Sequence, residues 1–106
     1  MSDLSGLVRN ADSCANFLKA LSHEGRLTIL CHLLQGPRTV TELETLLESR
    51  QAAVSQQLAR LRFEGLVQAR RDGQSIIYSI LDQRVQDTLE ILAQLFADRD
   101  GEAGTK

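Results

Sequence analysis

Between residues 39 and 81 the hydrophobic period of the chain changes from that of a helix to that of a strand, and the change falls at Gly65. Two short apolar stripes at helical spacing precede it. Leu43, Leu46 and Leu47 form the first, behind Thr39-Val40-Thr41-Glu42. That tetrad is a capping box, in which the Thr39 hydroxyl and the Glu42 carboxylate each satisfy an unpaired backbone N–H. Val54, Leu58 and Leu61 form the second stripe, over about residues 50–64, with Ser49 placed to cap it. Beyond Gly65, Val67 and Ala69 and then Ile76, Ile77 and Tyr78 favour strands on either side of Asp72-Gly73. Asp-Gly suits a two-residue type I′ turn, which needs positive φ at both central positions. Two short helices joined by a tight turn and followed by a hairpin make a winged helix-turn-helix, whose second helix enters the DNA major groove.

The flanking segments complete the fold class. Residues 10–21 place Cys14, Phe17, Leu18 and Leu21 on one helical face, and Ser22 can cap the helix that follows. That helix is expected over about 24–35, with Leu27, Leu30, Cys31 and Leu34 as its apolar stripe, and Gly36-Pro37 ends it. A last helix, over about 83–96, carries Val85, Leu89, Leu92 and Phe96, with Ile91 and Leu95 widening the face beyond what one packing surface uses. The expected architecture is mainly α with a β-hairpin wing: four helices, a hairpin over 66–81 and a fifth helix. Residues 10–97 form the single domain, behind a flexible 1–9 and ahead of a disordered 98–106. A chain of 106 residues supports one modest core. No basic and apolar leader follows Met1, and no run nears the roughly 20 apolar residues of a membrane span, so a soluble cytoplasmic protein with no membrane partner is expected.

Net charge of −2 argues against phosphate binding until its distribution is read. Residues 50–81 hold Arg50, Arg60, Arg62, Arg70 and Arg71 against Glu64 and Asp72, a local +3, whereas residues 82–106 sum to −3. On the helix over 50–64, the face opposite Val54, Leu58 and Leu61 holds Ala52, Ser55, Gln56, Ala59 and Arg60, with Gln51 at its margin. This face has no acid and small residues that admit the groove floor. Gln51 and Gln56 can pair with adenine, Ser55 can serve any base, and Ala52 can meet a thymine methyl. Arg50 can reach a phosphate or a guanine edge. Arg70, Arg71 and Gln74 flank the wing tip, where arginine suits a narrow minor groove. Thr39 and Thr41 can hold phosphate through hydroxyls and helix N-terminal amides, besides capping. A winged-helix module used only for protein contact is the rival, since the fold need not bind DNA.

Catalysis finds no support. Cys31 and His32 are neighbours on a helix and point roughly 100° apart, so they cannot form a nucleophile and base pair. No glycine-rich phosphate loop or paired-carboxylate site is present, and no cofactor is implied.

Leu21-Ser22-His23-Glu24-Gly25-Arg26-Leu27, Ile29-Leu30, Glu42-Leu43, Gln51-Ala52-Ala53-Val54-Ser55-Gln56-Gln57-Leu58, Leu61-Arg62, Gly65-Leu66-Val67 and Arg70-Arg71-Asp72-Gly73-Gln74 together resemble the ArsR/SmtB repressor family. The match runs over residues 10–96. The resemblance implies a homodimer built on the first and last helices, binding a near-palindromic double-stranded operator and leaving it when an inducer binds.

Metal sensing is not what this chain's residues suggest. The third-helix Cys-x-Cys of the family is here Val40-Thr41-Glu42-Leu43-Glu44, and the last helix has no histidine. Leu27-Thr28-Ile29-Leu30-Cys31-His32-Leu33 instead resembles the sulfide- and persulfide-responsive branch, which implies a reactive Cys31. The partner cysteine that branch carries at the end of the last helix is replaced by Leu95-Phe96-Ala97-Asp98. Cys14 can take its place if the first helix packs near Cys31. The other reading is two inert thiols acting as small hydrophobes.

Overall fold

The computed structural model describes residues 3–97. In chain order the elements are α1 (Ser5–Arg9), α2 (Ala11–Leu21), α3 (Glu24–Leu34), β1 (Arg38–Thr39), α4 (Val40–Leu47), α5 (Gln51–Phe63), β2 (Val67–Asp72), β3 (Ser75–Ile80) and α6 (Gln83–Leu95). This is the winged helix-turn-helix expected, with one extra helix and one extra strand. The tail expected to be disordered, 98–106, lies outside the described residues.

Each boundary has a local cause. The α4 capping box forms as read: Glu42 N donates to Thr39 Oγ1 at 3.1 Å and Thr39 N to Glu42 Oε1 at 2.8 Å. Asp82 caps α6 by accepting from Arg84 N at 2.9 Å. The Arg84 guanidinium hydrogen-bonds the same carboxyl and holds it below the usual carboxylate range. Gly65, at φ 79°, closes α5. Its N–H reaches Arg62 O at 2.9 Å while Leu66 N reaches Leu61 O at 3.0 Å, the paired bonds of a Schellman motif, with Leu61 and Leu66 both buried.

Several local expectations are corrected. Ser22 does not cap α3. Its N–H bonds Lys19 O and closes α2, and His23, in extended backbone, becomes the cap through Nδ1, accepting from Gly25 N at 3.0 Å and Arg26 N at 3.3 Å. Ser49 does not cap α5; that position falls to Arg50, which makes no side-chain cap bond, while Ser49 Oγ donates to Leu47 O. The reversal between them puts Glu48 in the left-handed region, φ 53°. Residues 5–9 form the helical turns of α1, with Ser5 N on Asp3 Oδ1 at one end and Asn10 Nδ2 on Gly6 O at the other.

The sheet is antiparallel in the order β1-β3-β2. The two residues of β1, too few to show a period, pair Arg38 with Tyr78 and Thr39 with Ile77. In the hairpin Asp72 pairs with Ser75, so the central turn residues are Gly73 and Gln74 rather than Asp72 and Gly73. Gly73 is at φ 66° and Gln74 is not in the positive region, which excludes type I′ and matches a II′ turn with glycine first.

One core joins the elements, made of Ala20 and Leu21 of α2, Ile29, Leu30 and Leu33 of α3, Leu43 of α4, Val54, Leu58 and Leu61 of α5, Leu66, Val67, and Val85 and Leu89 of α6. The buried stripe of α3 is Arg26, Ile29, Leu30 and Leu33, rotated from the expected one, so Cys31 faces outward. Among the described residues no helix is long and apolar enough to cross a membrane, and no three metal-binding side chains cluster.

Candidate nucleic-acid interface

Helix α5 divides as its period requires. Val54, Leu58 and Leu61 are buried, and Gln51, Ala52, Ser55, Gln56, Ala59 and Arg60 are exposed. No acid lies between Gln51 and Phe63, and Arg50 is exposed at the entrance. The side chains a major groove would meet are therefore free of the core. Arg60 is an exception to that freedom, because its Nε donates to Glu64 Oε2 at 3.1 Å in an i, i+4 ion pair.

The mouth of α4, the start of α5 and the wing tip converge. Thr39, Thr41, Gln51 and Gln74 line one shallow concavity of about 220 Å³ together with Val40, Ser75 and Ile76. Four residues singled out from three separate segments thus meet in space. Thr39 is largely committed there: its hydroxyl caps α4 and its backbone joins the sheet. Thr41 is exposed.

On β2, alternation sends neighbouring side chains to opposite faces. Val67, Ala69 and Arg71 share one face, opposite Ile80, Tyr78 and Ile76, and Gln68 and Arg70 share the other. Arg70 and Arg71 are both exposed near the tip, but they cannot address one surface in the same way.

Sequence reasoning missed Arg26. It is the one buried charged residue among those described, 8% exposed, with hydrogen bonds to Ala20 O, Lys19 O and Gln57 Oε1 of α5. Burial, then the nearby Arg60, pull its pKa below the usual arginine value, with Glu64 opposing. An arginine remains protonated under such shifts. No periodicity signals it, because arginine is read as a surface residue.

Both cysteines are free. Cys14 lines a cleft of about 600 Å³ between α2 and α6, with Phe17, Arg84, Asp87 and Thr88 among its neighbours; the Arg84 guanidinium lies 4.7 Å from the Phe17 ring centroid. Cys31 is not part of that cleft and sits on the outer side of α3. Partial burial still pushes its thiol up.

A tight helix pair whose second member shows solvent an acid-free, amide-rich face beside a wing is the reading head of a DNA-binding transcription regulator. Residues 23–69 match the profile described as "Bacterial regulatory protein, arsR family". The transcriptional activator HlyU of Vibrio cholerae is 38% identical over 94 residues, 89% of this chain and 87% of that protein. The regulator YgaV of Escherichia coli is 40% identical over 97 residues, 91% of this chain and 98% of its own. The solved structure of the transcriptional repressor BigR from Xylella fastidiosa superposes with a TM-score of 0.87 at 33% identity, covering 91% of this chain and 98% of that one. The chain belongs to the ArsR family of DNA-binding transcription regulators, and it is not an enzyme.

Proposed function

We propose that the protein is a repressor that binds a near-palindromic operator as a homodimer and leaves it when Cys31 is modified by a reactive sulfur species or oxidant. The observation that carries the operator reading is the exposed, acid-free face of α5 beside the wing. Gln51, Ser55 and Gln56 read base edges, Ala52 packs on a thymine methyl, and Arg50 takes a phosphate or guanine. Arg60, Arg70, Arg71 and Gln74 serve the backbone or minor groove, and Thr39 and Thr41 flank a phosphate at the mouth of α4.

The dimer is supported by apolar side chains with nothing over them. Leu4, Leu7 and Val8 of the N-terminal segment, Leu18 of α2, and Ile91, Leu95 and Phe96 at the other end of the chain are each more than half exposed. A two-fold axis through this surface would present the two α5 helices to symmetry-related half-sites, in keeping with the near-palindromic operator that the family resemblance implies. In helix-turn-helix dimers such half-sites lie about one DNA turn, ~34 Å, or a multiple of it apart.

Kinship with HlyU of Vibrio cholerae, which has been solved in a form described as reduced, supports thiol chemistry. In the proposed step the Cys31 thiolate takes the terminal sulfur of an organic persulfide, leaving a Cys31 persulfide and the organic thiol. If a Cys14 thiolate then attacks the Cys31 sulfur, hydrosulfide leaves and a disulfide remains. The raised pKa of Cys31 keeps its thiolate fraction small, which favours the competing reading of inert thiols.

The test uses a duplex that the protein itself selects from a randomised pool. Affinity should fall steeply with salt and be lost in the double variant Gln56→Ala and Arg71→Ala. Glutathione persulfide should release wild type but not Cys31→Ser, with intact mass showing one added sulfur or the loss of two hydrogens. Unmodified thiols and unchanged affinity would sink the thiol switch and leave a repressor with another inducer or none. Absence of salt-sensitive DNA binding would favour the protein-contact module.

A further inference from the structure

Arg26 joins three parts of the fold that a DNA reader must keep in register. It stands in the first turn of α3, where Nε donates to Ala20 O at 2.7 Å and one terminal nitrogen donates to Lys19 O at 3.2 Å. Those carbonyls belong to the last turn of α2, which carries the negative end of the helix dipole, and Lys19 O also accepts from Ser22 N. The other terminal nitrogen donates to Gln57 Oε1 at 3.0 Å, on a residue 31 positions away in α5. The surroundings suit a fixed crossing. A Cβ at Gly25 would stand 3.1 Å from the His23 ring, a tight contact within the cap of α3, and 3.7 Å from Gln57 Cγ, an ordinary van der Waals distance, so the Gln57 side chain lies beside the first turn of α3.

We propose that Arg26 is a positioning residue for operator recognition: its guanidinium ties the end of α2 to Gln57 and so fixes the angle at which α5 is presented. The guanidinium suits this task because its donors form a planar fork that addresses two helices at once, which a lysine ammonium cannot reproduce. Gln57 differs from its neighbour Gln56 in this respect. Gln56 is exposed for the groove, whereas Gln57 is half-buried and turned to Arg26. Since α2 belongs to the surface through which two copies would associate, the tie sets the separation and tilt of the two reading helices. The inference rests on the dimeric operator-binding reading.

Half-site spacing is the readout, because loss of stability alone does not change a preference for spacing. The probes are the duplex that wild type selects from a randomised pool and two derivatives with one base pair inserted or removed between the half-sites. Wild type should lose about ten-fold in affinity on either derivative, a loss comparable to that from a mismatched base pair. Gln57→Leu removes one acceptor and leaves both carbonyls in place. It should bind the selected duplex about three- to ten-fold more weakly and discriminate spacing by only about two-fold, with unchanged far-UV circular dichroism. Gln57→Glu offers the guanidinium a carboxylate and should restore the spacing preference. Arg26→Lys combined with Gln57→Leu should be no worse than the poorer single variant; should Arg26→Lys fail to fold, the two Gln57 variants decide. Wild-type spacing preference in Gln57→Leu, or additive losses in the double variant, would overturn the proposal and leave operator binding standing. Recovery of no duplex by wild type would overturn both.

Discussion

His23 begins α3 with a ring nitrogen where a hydroxyl or carboxylate is usual. For Nδ1 to accept from Gly25 N and Arg26 N it must carry a lone pair, which places the ring proton on Nε2. Removing the ring leaves those N–H groups to water. His23→Ala should therefore lower unfolding free energy by about 1 kcal/mol, and His23→Asn, whose side-chain oxygen can accept, should recover most of it in urea denaturation. Equal losses in both variants would mean that the ring acts by packing. Sequence alone favoured Ser22, a stronger capping type, because it does not reveal that Ser22 is consumed in ending α2. Cys31 was misplaced for a related reason. Leu27, Ile29, Leu30, Cys31, Leu33 and Leu34 leave α3 apolar on nearly every side, so its buried arc is fixed by tertiary contacts, with Arg26 inside it.

Among the elements, legibility followed length and punctuation. The stripe of α5, the α4 capping box and the glycines after α3 and α5 are strong local signals, and all are realised. The strand β1 has no signal of its own, since its two residues become a strand only when β3 arrives beside them. The turn moved by one residue because strand pairing, rather than the preference of Asp-Gly, sets the register. Gly65 has the sharper consequence for function, because its left-handed backbone directs the chain from α5 into the wing. A Cβ there would touch nothing within 4 Å, so the cost of a side chain is backbone strain alone. Gly65→Ala should cost about 1–2 kcal/mol in chemical denaturation. A loss below a few tenths would show that the α5-to-wing junction tolerates another path.

At the scale of the whole molecule, charge and apolar surface are largely separated. The arginine surplus lies in residues 50–81 with the reading helix and wing, and the exposed large apolar side chains lie toward the two ends of the chain, with Leu46, Phe63 and Leu81 as exceptions. An acid placed in the apolar surface should separate the copies without disturbing the core. Leu95→Asp should sediment as a folded monomer, with operator affinity reduced at least ten-fold. A dimer of unchanged size would move the interface elsewhere. The exposure of the positions proposed for base contacts was legible because one helical period separates exposed from buried. Arg26 was not legible, since its role exists only once α2, α3 and α5 are assembled.

Thr39 is at once the last residue of β1 and the cap of α4. The edge of the wing and the helix pair are spliced at a single residue, with no linker between them that could act as a hinge. A head built this way meets a duplex as one body with few internal motions left to freeze, so association forfeits little conformational entropy. Beyond the base edges it reads, such a head favours duplexes whose grooves already have the right width and curvature, or yield to it cheaply.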